Sequence, residues 1–177
     1  MIFIKFIVPI IVIALIMIFT TKTDNIIIPD EHLRFRVIAN SNTLEDQIIK
    51  NRVKENVEKE IYTFLRDVDN VDSAKRLIDQ NMNNINNIVY DTLRNNNVNY
   101  GHKINFGKNH FPRKVFKGIV YEEGKYNSLV VTLGSGKGSN WWCILFPPLC
   151  LIEVESNNTN EVEYRFFVRK ILDKYFK

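Results

Sequence analysis

Hydrophobic positions along this chain follow three different periods. Residues 6–19 form an apolar run with only Pro9 as a helix irregularity, and Lys5 stands just before it. Further on, Leu33, Phe35, Val37 and Ala39 alternate with Arg34, Arg36 and Ile38, a period of two that predicts a strand. The polar stretch Asn40-Ser41-Asn42-Thr43 then supplies turn and N-cap residues, with Glu45 three positions after Asn42 as a capping-box partner. A helix should follow, because Leu44, Ile48, Ile49, Val53, Val57, Ile61 and Leu65 recur at three- to four-residue spacing. A second helix is expected to begin near residues 70–73, with Asp72 favourably placed in its first turn. Its stripe is Ala74, Leu77, Ile78, Met82, Ile85, Val89 and Leu93. The short connection between the two favours an antiparallel pair.

From Val98 the period returns to two: Val98, Tyr100, His102, Ile104 and Phe106 share one side, which predicts a strand. Residues 115–121 and 126–133 flank Glu122-Glu123-Gly124-Lys125 and are expected to form a hairpin with a four-residue turn. Near the C-terminus, Val162, Tyr164, Phe166 and Val168 alternate with mainly charged residues and predict a strand followed by a short helix, although a helix through Tyr175 fits almost as well. The expected fold class is α+β: an antiparallel helix pair packed on a mainly antiparallel sheet, with residues 32–177 as a single domain. Residues 23–31, which include Pro29, are expected to be a linker.

Residues 1–22 are expected to export the chain, as a signal peptide or a membrane anchor. The apolar run would reach about 21 Å as a helix, or about 27 Å with residues 2–4, against about 30 Å for a hydrocarbon core. Thr20-Thr21-Lys22-Thr23 lacks a small-residue cleavage pattern, so both forms stay open. A helix apolar on every side is difficult to bury in so small a domain.

Composition adds less. At 177 residues, with 45% hydrophobic and 25% charged side chains, a true core is expected. The 24 basic and 20 acidic residues give +4; setting aside Lys5 and Lys22 leaves 22 against 20. Charges of both signs alternate, as in Lys54-Glu55 and Glu58-Lys59-Glu60, which argues against nucleic-acid binding. The asparagines crowded between positions 81 and 99 are read as drift towards A/T-rich codons and given no function.

Candidate chemistry concentrates in Gly134-Ser135-Gly136-Lys137-Gly138-Ser139-Asn140-Trp141-Trp142-Cys143, which runs into Ile144-Leu145-Phe146-Pro147-Pro148-Leu149-Cys150. Alternate glycines permit positive φ and close backbone approach, and tryptophan is favoured at binding hot spots. Partner contact is therefore expected at Gly134, Gly136, Gly138, Asn140, Trp141 and Trp142, against the alternative that both tryptophans are core. Adjacent strand residues face opposite sides, so one could be core and the other exposed. A phosphate-binding loop is excluded: Val131 stands where its first glycine belongs, and Gly138 follows Lys137 where a hydroxyl is needed. In an oxidising compartment Cys143 and Cys150 are expected to pair, with two free thiols as the alternative. A hydrolase using Cys143 as nucleophile and His32, His102 or His110 as base would need one of those imidazoles beside the thiol. The cysteine and histidine spacing lacks the close ligand pairs of a zinc site. No metal, cofactor or small-molecule substrate is expected.

The segment from Asn140 to Cys150, read as N-W-W-C, hydrophobic, F-P-P-L-C, resembles the stage II sporulation protein R family of spore-forming bacteria. The likeness extends through Gly134-Gly136-Gly138, through Phe106-Gly107 with Phe111-Pro112, and through Ile28-Pro29-Asp30-Glu31 followed by Leu33-Arg34-Phe35-Arg36-Val37-Ile38-Ala39-Asn40-Ser41, covering residues 28–152. Lys137 stands where some members carry an acidic residue. The resemblance implies a protein made in the forespore and exported to the intermembrane space. There it is required for activation of the mother-cell aspartic protease, of the stage II sporulation protein GA type, that processes pro-sigma-E. The protease performs the cleavage, so the present chain is expected to be a non-enzymatic ligand of its membrane-embedded portion. The Cys143-dependent hydrolase and a structural envelope protein are the alternatives.

Overall fold

The computed structural model describes residues 26–27, 31–116, 119–150 and 161–175. The expected export segment at residues 1–22 lies outside them, as does most of the expected linker at 23–31. Among the described residues no helix is long and apolar enough to cross a membrane. The fold is α+β, in the order β1 (Ile26–Ile27), β2 (Leu33–Ile38), α1 (Leu44–Leu65), α2 (Val71–Gln80), α3 (Met82–Asn95), β3 (His102–Phe111), β4 (Lys114–Phe116), β5 (Ile119–Tyr121), β6 (Gly124–Leu133), β7 (Asn140–Phe146) and α4 (Glu161–Tyr175).

Four strands make the central sheet in the order β3-β6-β2-β7. It is mixed: β3–β6 and β2–β7 are antiparallel, while the two inner strands β2 and β6 run parallel. Three helices and the strands β3, β4 and β5 separate β2 from β6, a crossover long enough to return the chain in the same direction. The alternation predicted for β2 holds. Leu33, Phe35 and Val37 face the helices together with Leu129, Val131 and Leu133 of β6, and they share one core with Ile49, Val53, Val57, Ile61 and Leu65 of α1. Each such burial contributes about 1.5–3 kcal/mol.

Other expectations are corrected. The N-cap of α1 is Thr43, one position later than Asn42, and its hydroxyl accepts from the Asp46 N–H. Leu44 and Ile48, placed in the buried stripe by their spacing, are 78% and 42% exposed. The second helix divides at Asn81, whose side-chain amide donates to the Leu77 carbonyl at 2.8 Å, the local competition by which asparagine breaks helices. Helices α1 and α3 are antiparallel: Arg52 meets Asn96, Asn56 meets Thr92 and Glu60 meets Asn84. Several asparagines assigned no function thus cap and join helices. The strand predicted from Val98 starts at His102, because Asn97 (φ 55°) ends α3 in a left-handed cap. The Val98 N–H reaches the Leu93 carbonyl and the Asn97 N–H the Arg94 carbonyl, so Val98 belongs to the cap.

The hairpin expected across residues 122–125 does not form. Strand β6 gives one edge to β3, paired from His102↔Leu133 to Phe111↔Gly124, and the other to β2. A strand has two edges, so β5 is left to pair with β4 and, in parallel, with β1 in a separate small sheet. Residues 26–27 of the expected linker are therefore strand. The C-terminal strand is also overturned. Residues 161–175 are helical, and Val168, Ile171, Leu172 and Tyr175 turn inward at helical spacing. Val168 packs in a second cluster with Ile119 of the small sheet and Ile144 and Leu149, while Tyr175 meets the Phe146 ring at 5.1 Å.

Candidate partner-binding surface

Three connections meet at one end of the sheet: residues 40–43 between β2 and α1, residues 134–139 between β6 and β7, and Gly101 before β3. Gly134 and Gly136 have φ of 53° and 65°, conformations that favour glycine. Gly138 is required by proximity instead, since a Cβ there would press on the backbone carbonyl of Ser41 and lie 2.7 Å from Ala39 Cβ. The loop is stitched rather than free. The backbone N–H groups of Lys137 and Gly138 donate to the carbonyls of Asn40 (3.1 Å) and Ala39 (2.9 Å), and that of Gly134 donates to Gly101 (2.8 Å). The Ser135 N–H donates to Asn40 Oδ1 at 2.9 Å and the Ser139 N–H to Asn42 Oδ1 at 2.7 Å. The expected glycine loop is thus a fixed platform with Ser135, Lys137 and Ser139 exposed on it.

Beneath the platform lies Asp46, a residue that sequence reasoning missed. Its carboxylate accepts from Asn40 Nδ2 (2.9 Å), Ser41 Oγ and Tyr100 Oη (2.7 Å). Burial alone would raise its pKa, but hydrogen bonds from Ser41, Tyr100, Asn40 and Thr43 outweigh that and hold the carboxyl below its ordinary value. Burial, then the bond to Asp46, pushes the Tyr100 phenol far up in return. The usable signal was Asp46 at N3 of a helix whose cap run is Ser-Asn-Thr.

The two tryptophans separate. Trp141 lies on the helix side, edge-on to Phe35 (ring centroids 5.5 Å) and beneath Lys54 Nζ (5.1 Å). Trp142 lies on the other side, edge-on to Phe111 (5.0 Å), with the Arg36 guanidinium 4.4 Å from its centroid. Both are half-buried. The six candidate residues therefore do not make one patch. Gly134, Gly136, Gly138 and Asn140 share the corner, whereas the tryptophans pin β7 from opposite faces. Sequence reasoning also missed Arg34, buried with its guanidinium 3.4 Å from the Tyr126 centroid and 5.0 Å from Phe111, and donating to His32 Nε2 at 2.7 Å. No motif announces it, because its aromatic partners come from distant strands.

Cys143 and Cys150 are joined in a disulfide, with Cα atoms 5.4 Å apart and the Phe146–Pro147 cis peptide inside the ring. While that bond is intact, Cys143 cannot serve as a nucleophile. The three proposed bases are engaged elsewhere: His32 with Arg34, His102 with Asn86 and His110 with Glu123.

A family model described as stage II sporulation protein R matches residues 29–156. Among curated proteins, stage II sporulation protein R of Bacillus subtilis (strain 168) is 37% identical over 134 residues, covering 75% of this chain and 60% of that relative. The chain thus spans about three fifths of the relative's length. No solved structure matches significantly.

Proposed function

The chain belongs to the stage II sporulation protein R family, and from that membership we propose that it is an exported signal of endospore formation. It passes from the forespore into the intermembrane space and activates the mother-cell membrane aspartic protease that processes pro-sigma-E, without performing chemistry of its own. The observation that carries the reading is the family match over residues 29–156, which takes in the whole corner and the disulfide. The disulfide supports the compartment, since such bonds persist where the surroundings are oxidising.

The surface best suited to the receptor is the corner itself. Lys137 stands exposed on the platform, and Leu44 and Ile48 lie exposed one helical turn apart directly after the cap at Thr43. A charged tip beside a small apolar patch, both on rigid backbone, keeps the ordering cost of binding low. Activation requires only that the receptor's active state bind more tightly; about 2 kcal/mol of preference shifts that equilibrium some thirty-fold.

The test is a strain lacking the gene, followed by immunoblot of pro-sigma-E during sporulation. Deletion should abolish processing, and the wild-type gene should restore it. A Leu44→Ser/Ile48→Ser variant, exported and folded, should restore it poorly. Undiminished processing in the deletion strain would favour an envelope role and end the activator reading. Full rescue by the double variant would move the contact away from this corner.

A further inference from the structure

Helix α4 carries two faces of opposite kind. Val168, Ile171, Leu172 and Tyr175 turn towards the body of the protein, where Val168 is buried against Ile119, Ile144 and Leu149. At about 100° per residue, Phe166 lies roughly opposite Val168 and Tyr175. It is 69% exposed, and Phe167 beside it is 45% exposed. Arg169, Lys170, Asp173 and Lys174 continue the outer stripe, and with Phe166 they line one shallow open groove. The inner stripe already fixes the helix; Phe166 turns its ring to solvent, and Phe167 lies at the edge between the two faces.

Charge identifies what the stripe suits. Helix α4 and the two residues after it carry five basic residues, Arg165, Arg169, Lys170, Lys174 and Lys177, against Glu161, Glu163 and Asp173, and both glutamates lie in the first turn, ahead of the two rings. Exposed aromatic rings bracketed by cations on one face of a helix is the pattern of interfacial membrane binding: rings enter the boundary between headgroups and acyl chains while cations stay level with phosphate. An acidic protein groove would use the cations without requiring two bare rings, and pairing with a second copy would bring like charges together.

We propose that the outer face of α4 binds the surface of an anionic phospholipid bilayer, with Phe166 and Phe167 in the interface and Arg169, Lys170 and Lys174 against lipid phosphates. Such binding orients the folded body on a membrane whether or not the receptor reading above holds, and it needs no contact from the corner at residues 134–139.

Both cysteines of the chain are bonded to each other, so a Phe166→Cys variant of the full chain offers one thiol for an environment-sensitive fluorophore. The labelled protein is mixed with vesicles of phosphatidylcholine alone or of phosphatidylcholine with phosphatidylglycerol. Expected is a blue shift, with quenching by doxyl-labelled lipid, in the anionic vesicles only and reversed by salt. The added substitutions Arg169→Gln, Lys170→Gln and Lys174→Gln should weaken this partition on the order of a hundredfold. A label at Tyr90→Cys, exposed on α3, should remain water-like throughout. A water-like label at 166 in anionic vesicles overturns the proposal. So does an equal shift in neutral vesicles, which would mean that another segment holds the chain, or a shift that follows protein concentration without lipid, which would mean self-association.

Discussion

At the scale of single residues, Asp46 and the glycines of the corner are where side-chain chemistry and backbone geometry are least replaceable. Asp46 is held below its ordinary pKa, so its charged form stabilises the fold above about pH 3.9, and that stability drains away as pH falls through the folded value. Asp46→Asn should cost about 1.5–3 kcal/mol in urea unfolding at pH 7, and the gap from wild type should narrow as pH falls below about 3.9. Tyr100 behaves with the opposite sign. Its raised pKa favours the protonated phenol, so the stability it contributes is full below about pH 10 and is lost as pH rises towards the folded value. Gly138→Ala should cost about 1–3 kcal/mol although its φ is unremarkable, because the atoms it meets, the Ser41 carbonyl and the Ala39 Cβ, cannot swing aside. Gly101→Ala, whose Cβ would meet nothing within 4 Å, should change stability by less than about 0.5 kcal/mol in the same assay.

At the scale of elements, helix and strand identity came mostly from period, and ends came from hydrogen bonds that a period does not encode. The strand at residues 33–38 and the α1 stripe from Ile49 onward were legible because each buries one face of its own regular structure. Leu44 and Ile48 were misplaced because spacing shows which residues share a side, not how far the neighbouring layer extends over it. The end of α3 was missed because the left-handed Asn97 spends Val98 on the cap. Asn97→Val should therefore cost about 1–2 kcal/mol while Asn97→Gly should be tolerated, a contrast readable as urea midpoints. In α4 the even-numbered alternation of residues 162–168 suits a strand, whereas a helix puts Phe166 opposite Val168. The inward turn of Ile171, Leu172 and Tyr175 separates the two.

At the scale of the whole molecule, the disulfide ties β7 to the chain beyond it and closes an eight-residue ring. A Cys143→Ser/Cys150→Ser variant should lose about 2–2.5 kcal/mol, and dithiothreitol should bring wild type to the same unfolding midpoint. A wild type indifferent to reductant would show the bond to be dispensable. By itself the sequence determined the α+β class, the helical stretch between β2 and β3, the core strand β2, the special character of the glycine loop and the family, because propensity, period and motif are local properties. It could not determine that β2 and β6 run parallel, that β5 leaves β6 for another sheet, which face each tryptophan takes, or that Asn40, Ser41 and Tyr100 converge on Asp46 while Ser135 bonds Asn40. Those follow from which strand edges remain free once others have paired, and from groups up to 97 positions apart coming into hydrogen-bonding range. No local pattern carries that information; only closure of the chain around one core supplies it.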